Sequence, residues 1–124
     1  EWKRLQSLYD LDFAQELTFD AALMYTAVEA GQVDVISAYS TDGRVAAYDL
    51  VLLEDQRQAL LSYDAMLLAS SAAAQDPRFT AALAPVLGAI SDEAMREANK
   101  MVDVEGRSVS EATAYLQAII NKPR

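Results

Sequence analysis

VDVISAYSTDGRVAAYDLVLLEDQRQALLSYDA, residues 33–65, holds apolar runs separated by polar turns. The first run covers residues 33–39 and ends on Tyr39; Ser40, Thr41, Asp42 and Gly43 then form a turn. A short amphipathic segment follows at 44–48, a second apolar run at 50–53, an acidic exit at Glu54-Asp55, and a third run opening near Tyr63. Short apolar runs bounded by turn formers read as buried strands, so this stretch predicts a sheet.

Working outward, residues 13–17 read as a short strand. Residues 21–30 read as a helix that Asp20 or Thr18 can cap and Gly31 can end. Strand, helix and strand joined by short links make a βαβ unit with a right-handed crossover. The expected fold class is therefore α/β. Tyr39 and Tyr63 fall where strands of such a sheet end or begin, the edge at which ligands bind. A site there would be aromatic and nearly uncharged.

The rest of the chain reads as helices that carry no chemistry. Trp2, Leu5, Leu8 and Tyr9 share helical spacing, with Trp2 read as packing. Residues 70–75 read as a loop. Asp76-Pro77 opens a helix with a stripe at Phe79, Leu83, Val86 and Leu87, which Pro85 should bend or end. Ser91 caps the next helix, and Ser108 with Glu111 forms a capping box before Ala112, Tyr115, Leu116, Ile119 and Ile120.

Composition narrows the function classes. The 124 residues are 52% hydrophobic, enough for one modest core. A net charge of −9 repels phosphate backbones, so nucleic acid is not expected as a partner. With no cysteine and no histidine, thiolate chemistry, the usual metal ligands and the common nucleophile–base pairs are missing, and neither a metal nor a cofactor is expected. The carboxylates Asp49, Glu54 and Asp55 read as a solvated rim that Arg44 or Arg57 can pair with, not as an acid–base pair. No catalytic residue is assigned, and the chain is not expected to be an enzyme.

The run YSTDGRVAAYDLVLLED followed by SYDA resembles the signature of the substrate-binding proteins of ABC importers for glycine betaine, choline and related osmoprotectants. DAALMYTAVEAGQVDVISAYSTDGR upstream and ISDEAMREANKMVDVEGRSVSEATAYL downstream resemble the same family. The resemblance implies a two-lobed fold of the type II periplasmic-binding-protein kind, in which a tyrosine cage between the lobes holds a quaternary ammonium. Tyr39 and Tyr63 occupy matching motif positions, and Ser40 and Thr41 stand where such a chain crosses between lobes, their hydroxyls or amides facing the ligand. Tyr48 reads as packing.

The same resemblance divides the chain into 1–39, part of the second lobe, and 40–124, part of the first lobe with C-terminal helices. Each lobe would lack strands. The chain is thus expected to be a portion of a larger binding protein that, isolated, is completed by a second copy or by strand exchange, or else adopts a rearranged compact fold. An ABC permease is the implied partner and an extracytoplasmic location the implied place. Leu60-Leu61-Ser62 departs from the family pattern before Tyr63 and leaves the particular amine open. Two alternatives stand beside a solute-binding role. One is a ligand-sensing regulatory module of the same fold; the other is an interaction domain that has lost the ligand, which would bury Tyr39 and Tyr63 in the core.

Overall fold

In the computed structural model, which describes residues 1–122, seven helices form among the described residues. They are α1 (Trp2–Tyr9), α2 (Ala21–Glu29), α3 (Gly43–Ala47), α4 (Ser71–Ala74), α5 (Pro77–Leu83), α6 (Asp92–Asp103) and α7 (Val109–Ile120).

Local signals set most of their boundaries. Asp20 caps α2 by accepting from the Ala22 N–H, and Gly31 follows its end at φ 67°, a left-handed conformation that costs glycine no Cβ clash. Pro77 sits at the start of α5, which stops at Leu83, two residues before Pro85. The Ser108–Glu111 capping box is complete: the Ser108 Oγ accepts from the Glu111 N–H, and the Glu111 carboxylate accepts from the Ser108 N–H at 2.9 Å. Residues 70–75, expected as a loop, contain the short helix α4, which Ser70 caps through the Ala73 N–H.

The core lies where α3, α6 and α7 pack together. Val45 of α3, Ala94, Ala98 and Met101 of α6 and Ala112 of α7 are buried there. Small side chains on α6 let α3 approach closely. At Gly43 the approach is so tight that a Cβ would overlap the Lys100 backbone.

α2 joins this core through Tyr25, whose ring is buried against the Arg44 guanidinium, 4.4 Å from the ring centroid, and tilted against Tyr48 at 6.5 Å. Tyr48 thus packs, as expected. Arg44 pairs in turn with Asp42 at 2.9 Å. The Tyr25 hydroxyl has no hydrogen-bond partner among the described residues. Burial first, then the neighbouring Asp42 carboxylate, pushes its pKa up to about 12.

A second corner forms around α1. Trp2 stacks on Phe13 at 5.4 Å and donates its indole N–H to Glu16. Asp55 accepts from the Tyr9 hydroxyl at 2.6 Å and from the Leu60 N–H at 2.7 Å, which seats residues 55–60 on α1. Those bonds hold the Asp55 carboxyl below its usual range. Arg57 lies over the Tyr9 ring and donates to the Leu8 carbonyl. Asp55 is therefore an organiser of this corner, not a solvated rim group, and Arg57 pairs with an aromatic face and a carbonyl.

Among the described residues no ladder pairs the runs expected as strands at 13–17, 33–39, 50–53 and from Tyr63 onward. Several of their side chains are open in this chain: Val51 is 84% exposed, Met66 80% and Leu68 91%. A helix satisfies its own backbone groups, but a strand needs a neighbour for its N–H and C=O groups and a layer over its face. Neither is present here, so these runs stay irregular.

Candidate functional site

Tyr39 and Tyr63 lie far apart in sequence, yet their rings meet. The centroids are 5.8 Å apart at an interplanar angle of 80°. Such edge-to-face contacts are favourable because the positive edge of one ring meets the negative face of the other. Both rings are open to solvent, Tyr39 at 65% and Tyr63 at 63%, so they are not core residues.

The Tyr63 hydroxyl donates to the Glu1 carboxylate at 2.6 Å. That bond, with the negative charge beside it, raises the phenol pKa and keeps the ring neutral. Two nearly perpendicular rings bounded by a carboxylate make a corner of negative potential. Chemically, it suits a cation that has no proton to donate.

The backbone beside Tyr39 is fastened to α6. The Ser40 hydroxyl donates to Asp92 at 2.7 Å, the Arg96 Nε donates to the Ser40 carbonyl at 2.6 Å, and the Asn99 amide donates to the Thr41 carbonyl at 2.7 Å. The Asp42 N–H closes a turn onto the Tyr39 carbonyl at 3.0 Å. On the other side Asp42 caps α3 and accepts two bonds from the Arg44 guanidinium. Burial works to raise the Asp42 carboxyl, but the bonds from Arg44 outweigh it and hold the pKa below the usual range.

The structure therefore brings Tyr39 and Tyr63 together and commits the Ser40 hydroxyl and the Thr41 carbonyl to α6. Sequence reasoning missed Glu1, Asp92, Arg96 and Asn99. The signal for the last three was in the chain: they fall at i, i+4 and i+7, which places hydrogen-bonding side chains on one helix face. A separate open groove is lined by Arg4, Asp55, Gln58, Leu60, Leu61 and Ser62.

No group of acidic residues among the described ones is placed to hold a metal ion, and no helix among them is long and apolar enough to cross a membrane.

The family model for the substrate-binding domain of ABC-type glycine betaine transport systems matches residues 1–118. The carnitine transport binding protein OpuCC of Listeria monocytogenes is 34% identical over 103 residues, covering 82% of this chain and 33% of the relative. A glycine-betaine-binding protein of Pseudomonas aeruginosa is 30% identical over 113 residues, covering 89% of this chain and 36% of the relative. The chain thus spans about a third of the length of the curated relatives it matches. No solved structure matches it. The family has the periplasmic-binding-protein fold and is a solute-binding family of ABC importers, not an enzyme family. With a match running from Glu1 through α7 almost to its end, the chain belongs to the substrate-binding domains of ABC-type glycine betaine transport systems.

Proposed function

We propose that this chain supplies the Tyr39–Tyr63 half of a tyrosine cage that binds a quaternary ammonium osmoprotectant for an ABC importer. The observation that carries the reading is the exposed, nearly perpendicular ring pair. A trimethylammonium group cannot donate a hydrogen bond, so its affinity comes from the negative faces of aromatic rings, about 0.5–2 kcal/mol per contact. A corner of two rings gives one cation two faces at once. The exposure of both rings argues against an interaction domain with these tyrosines in its core.

In this reading residues 1–39 belong to the second lobe and 40–124 to the first, with Ser40 and Thr41 at the crossing between lobes. The hydroxyl of Ser40 then holds the crossing in place, and Thr41 is left to face the ligand. An ABC permease is the partner, on the extracytoplasmic side of the membrane. The open apolar segment around Val51, Leu53, Met66 and Leu68 is covered by strand pairing, which for the isolated chain means a second copy.

The test is a thermal-stability titration with glycine betaine, carnitine and choline, with an uncharged choline isostere as control. A ligand that binds only the folded chain stabilises it by about 2.7 kcal/mol at a hundredfold excess over Kd. Stabilisation by the cations alone, lost in Tyr39→Ala and in Tyr63→Ala, is the expected result. Equal stabilisation by the isostere, or none by any amine, rejects the reading.

A further inference from the structure

We infer that Arg96 and Asn99 of α6 are positioning residues for the aromatic pair, holding Tyr39 against Tyr63 by gripping the carbonyls of Ser40 and Thr41. The inference rests on the cage reading for its functional meaning, but its geometry stands without a ligand. The loop at 40–43 offers consecutive carbonyls to side chains one helical turn apart, at 2.6 Å from Arg96 and 2.7 Å from Asn99. Asp92, one turn earlier, takes the Ser40 hydroxyl at 2.7 Å. Three contacts from one rigid face leave the Ser40 peptide little freedom, and the Tyr39 carbonyl is already tied into the turn by the Asp42 N–H.

The downstream end of the loop is equally constrained. Gly43 lies against the Lys100 backbone, one residue beyond Asn99, and Asp42 is held by Arg44. The Tyr39 side chain is held far less: its ring is exposed and, among the described residues, is in aromatic contact with the equally exposed Tyr63 ring alone. A weak edge-to-face contact between open rings does not fix a backbone. The grip of α6 on the adjoining loop does, so the helix behind the loop sets the angle of the corner.

The experiment reads ring geometry and ligand affinity separately in the full chain. In the ligand-free chain the nuclear Overhauser contact between the Tyr39 and Tyr63 rings is expected to vanish in Arg96→Ala and in Asn99→Ala. It is expected to return in Arg96→Lys and Asn99→Gln, which keep a donor, while far-UV circular dichroism stays unchanged. Carnitine affinity should fall about tenfold in the alanine variants, the loss of roughly one ring face. A ring contact that survives both alanine variants overturns the inference, as does a lost contact with undiminished carnitine affinity. Should the alanine variants lose helix as well, Arg96→Met and Asn99→Leu decide, because they keep helix-forming side chains of similar size and remove only the donors to the two carbonyls. A weakened ring contact then supports the inference, and an intact one overturns it. A native chain that binds no amine defeats the cage reading instead, and the ring contact still tests the grip.

Discussion

Residues 40–47 and residues 50–68 are neighbours in sequence and opposites in structure. The first stretch is gripped by α6, pinned by Asp42 and Arg44, and packed so closely that Gly43 meets the Lys100 backbone. The second is seated on α1 only at residues 55–60, and the apolar side chains on either side of that patch, Val51, Met66 and Leu68 among them, are largely exposed. Apolar content alone does not bury a segment. What separates the two is whether the backbone can satisfy itself locally: a capped helix can, whereas a strand waits for a neighbour.

The largest effect that would break this contrast is expected at Gly43. Gly43→Ala places a methyl group on the Lys100 backbone, which no side-chain rotation relieves, and should cost about 3 kcal/mol. Urea denaturation measures it. A loss below about 1 kcal/mol would mean that α3 and α6 slide apart freely and that the gripped region is no more fixed than the open one.

A smaller change of opposite sign is expected at Tyr25. Its buried hydroxyl has no hydrogen-bond partner among the described residues, so Tyr25→Phe should leave stability unchanged or raise it by about 1 kcal/mol at neutral pH. The pH dependence sharpens the point. Because burial raises the folded-state pKa from 10.0 to about 12, the contribution of the neutral phenol is complete below pH 10 and is lost as pH rises through about 12. Tyr25→Phe should therefore flatten the alkaline limb of a melting-temperature profile. An unchanged limb would place the loss elsewhere.

The smallest effect belongs to the open segment. At 91% exposure, Leu68→Ser should alter the stability of a single chain by less than about 0.5 kcal/mol, yet it should weaken self-association. Sedimentation of both proteins across a concentration range measures it. A native chain that stays monomeric throughout would remove the second copy as the cover for this face.

Helices were legible in the sequence because their signals are local. Asp20, Ser91 and Ser108 each stand where a cap is found, and the Ser108–Glu111 box is complete. Strand signals are of another kind, because alternation and β-branching describe a residue's fitness for a sheet and not the presence of a neighbour. At the site, the pattern placed Tyr39 and Tyr63 only at the ends of apolar runs, and family resemblance singled them out; their contact is a property of three dimensions. The grip of Arg96 and Asn99 escaped notice for a different reason. Polar residues on an amphipathic helix are ordinarily solvent-facing, and nothing in the spacing says that two of them reach a carbonyl.

One consequence follows from the corner around α1. The chain has a single tryptophan, Trp2, stacked on Phe13, and the residue before it, Glu1, is bonded to Tyr63. Light absorbed by Tyr63 can therefore pass to a lone emitter close by in the chain. The pairing gives this protein a built-in optical gauge of the aromatic corner, in which a change at Tyr63 alters tyrosine-sensitised indole emission without any added dye.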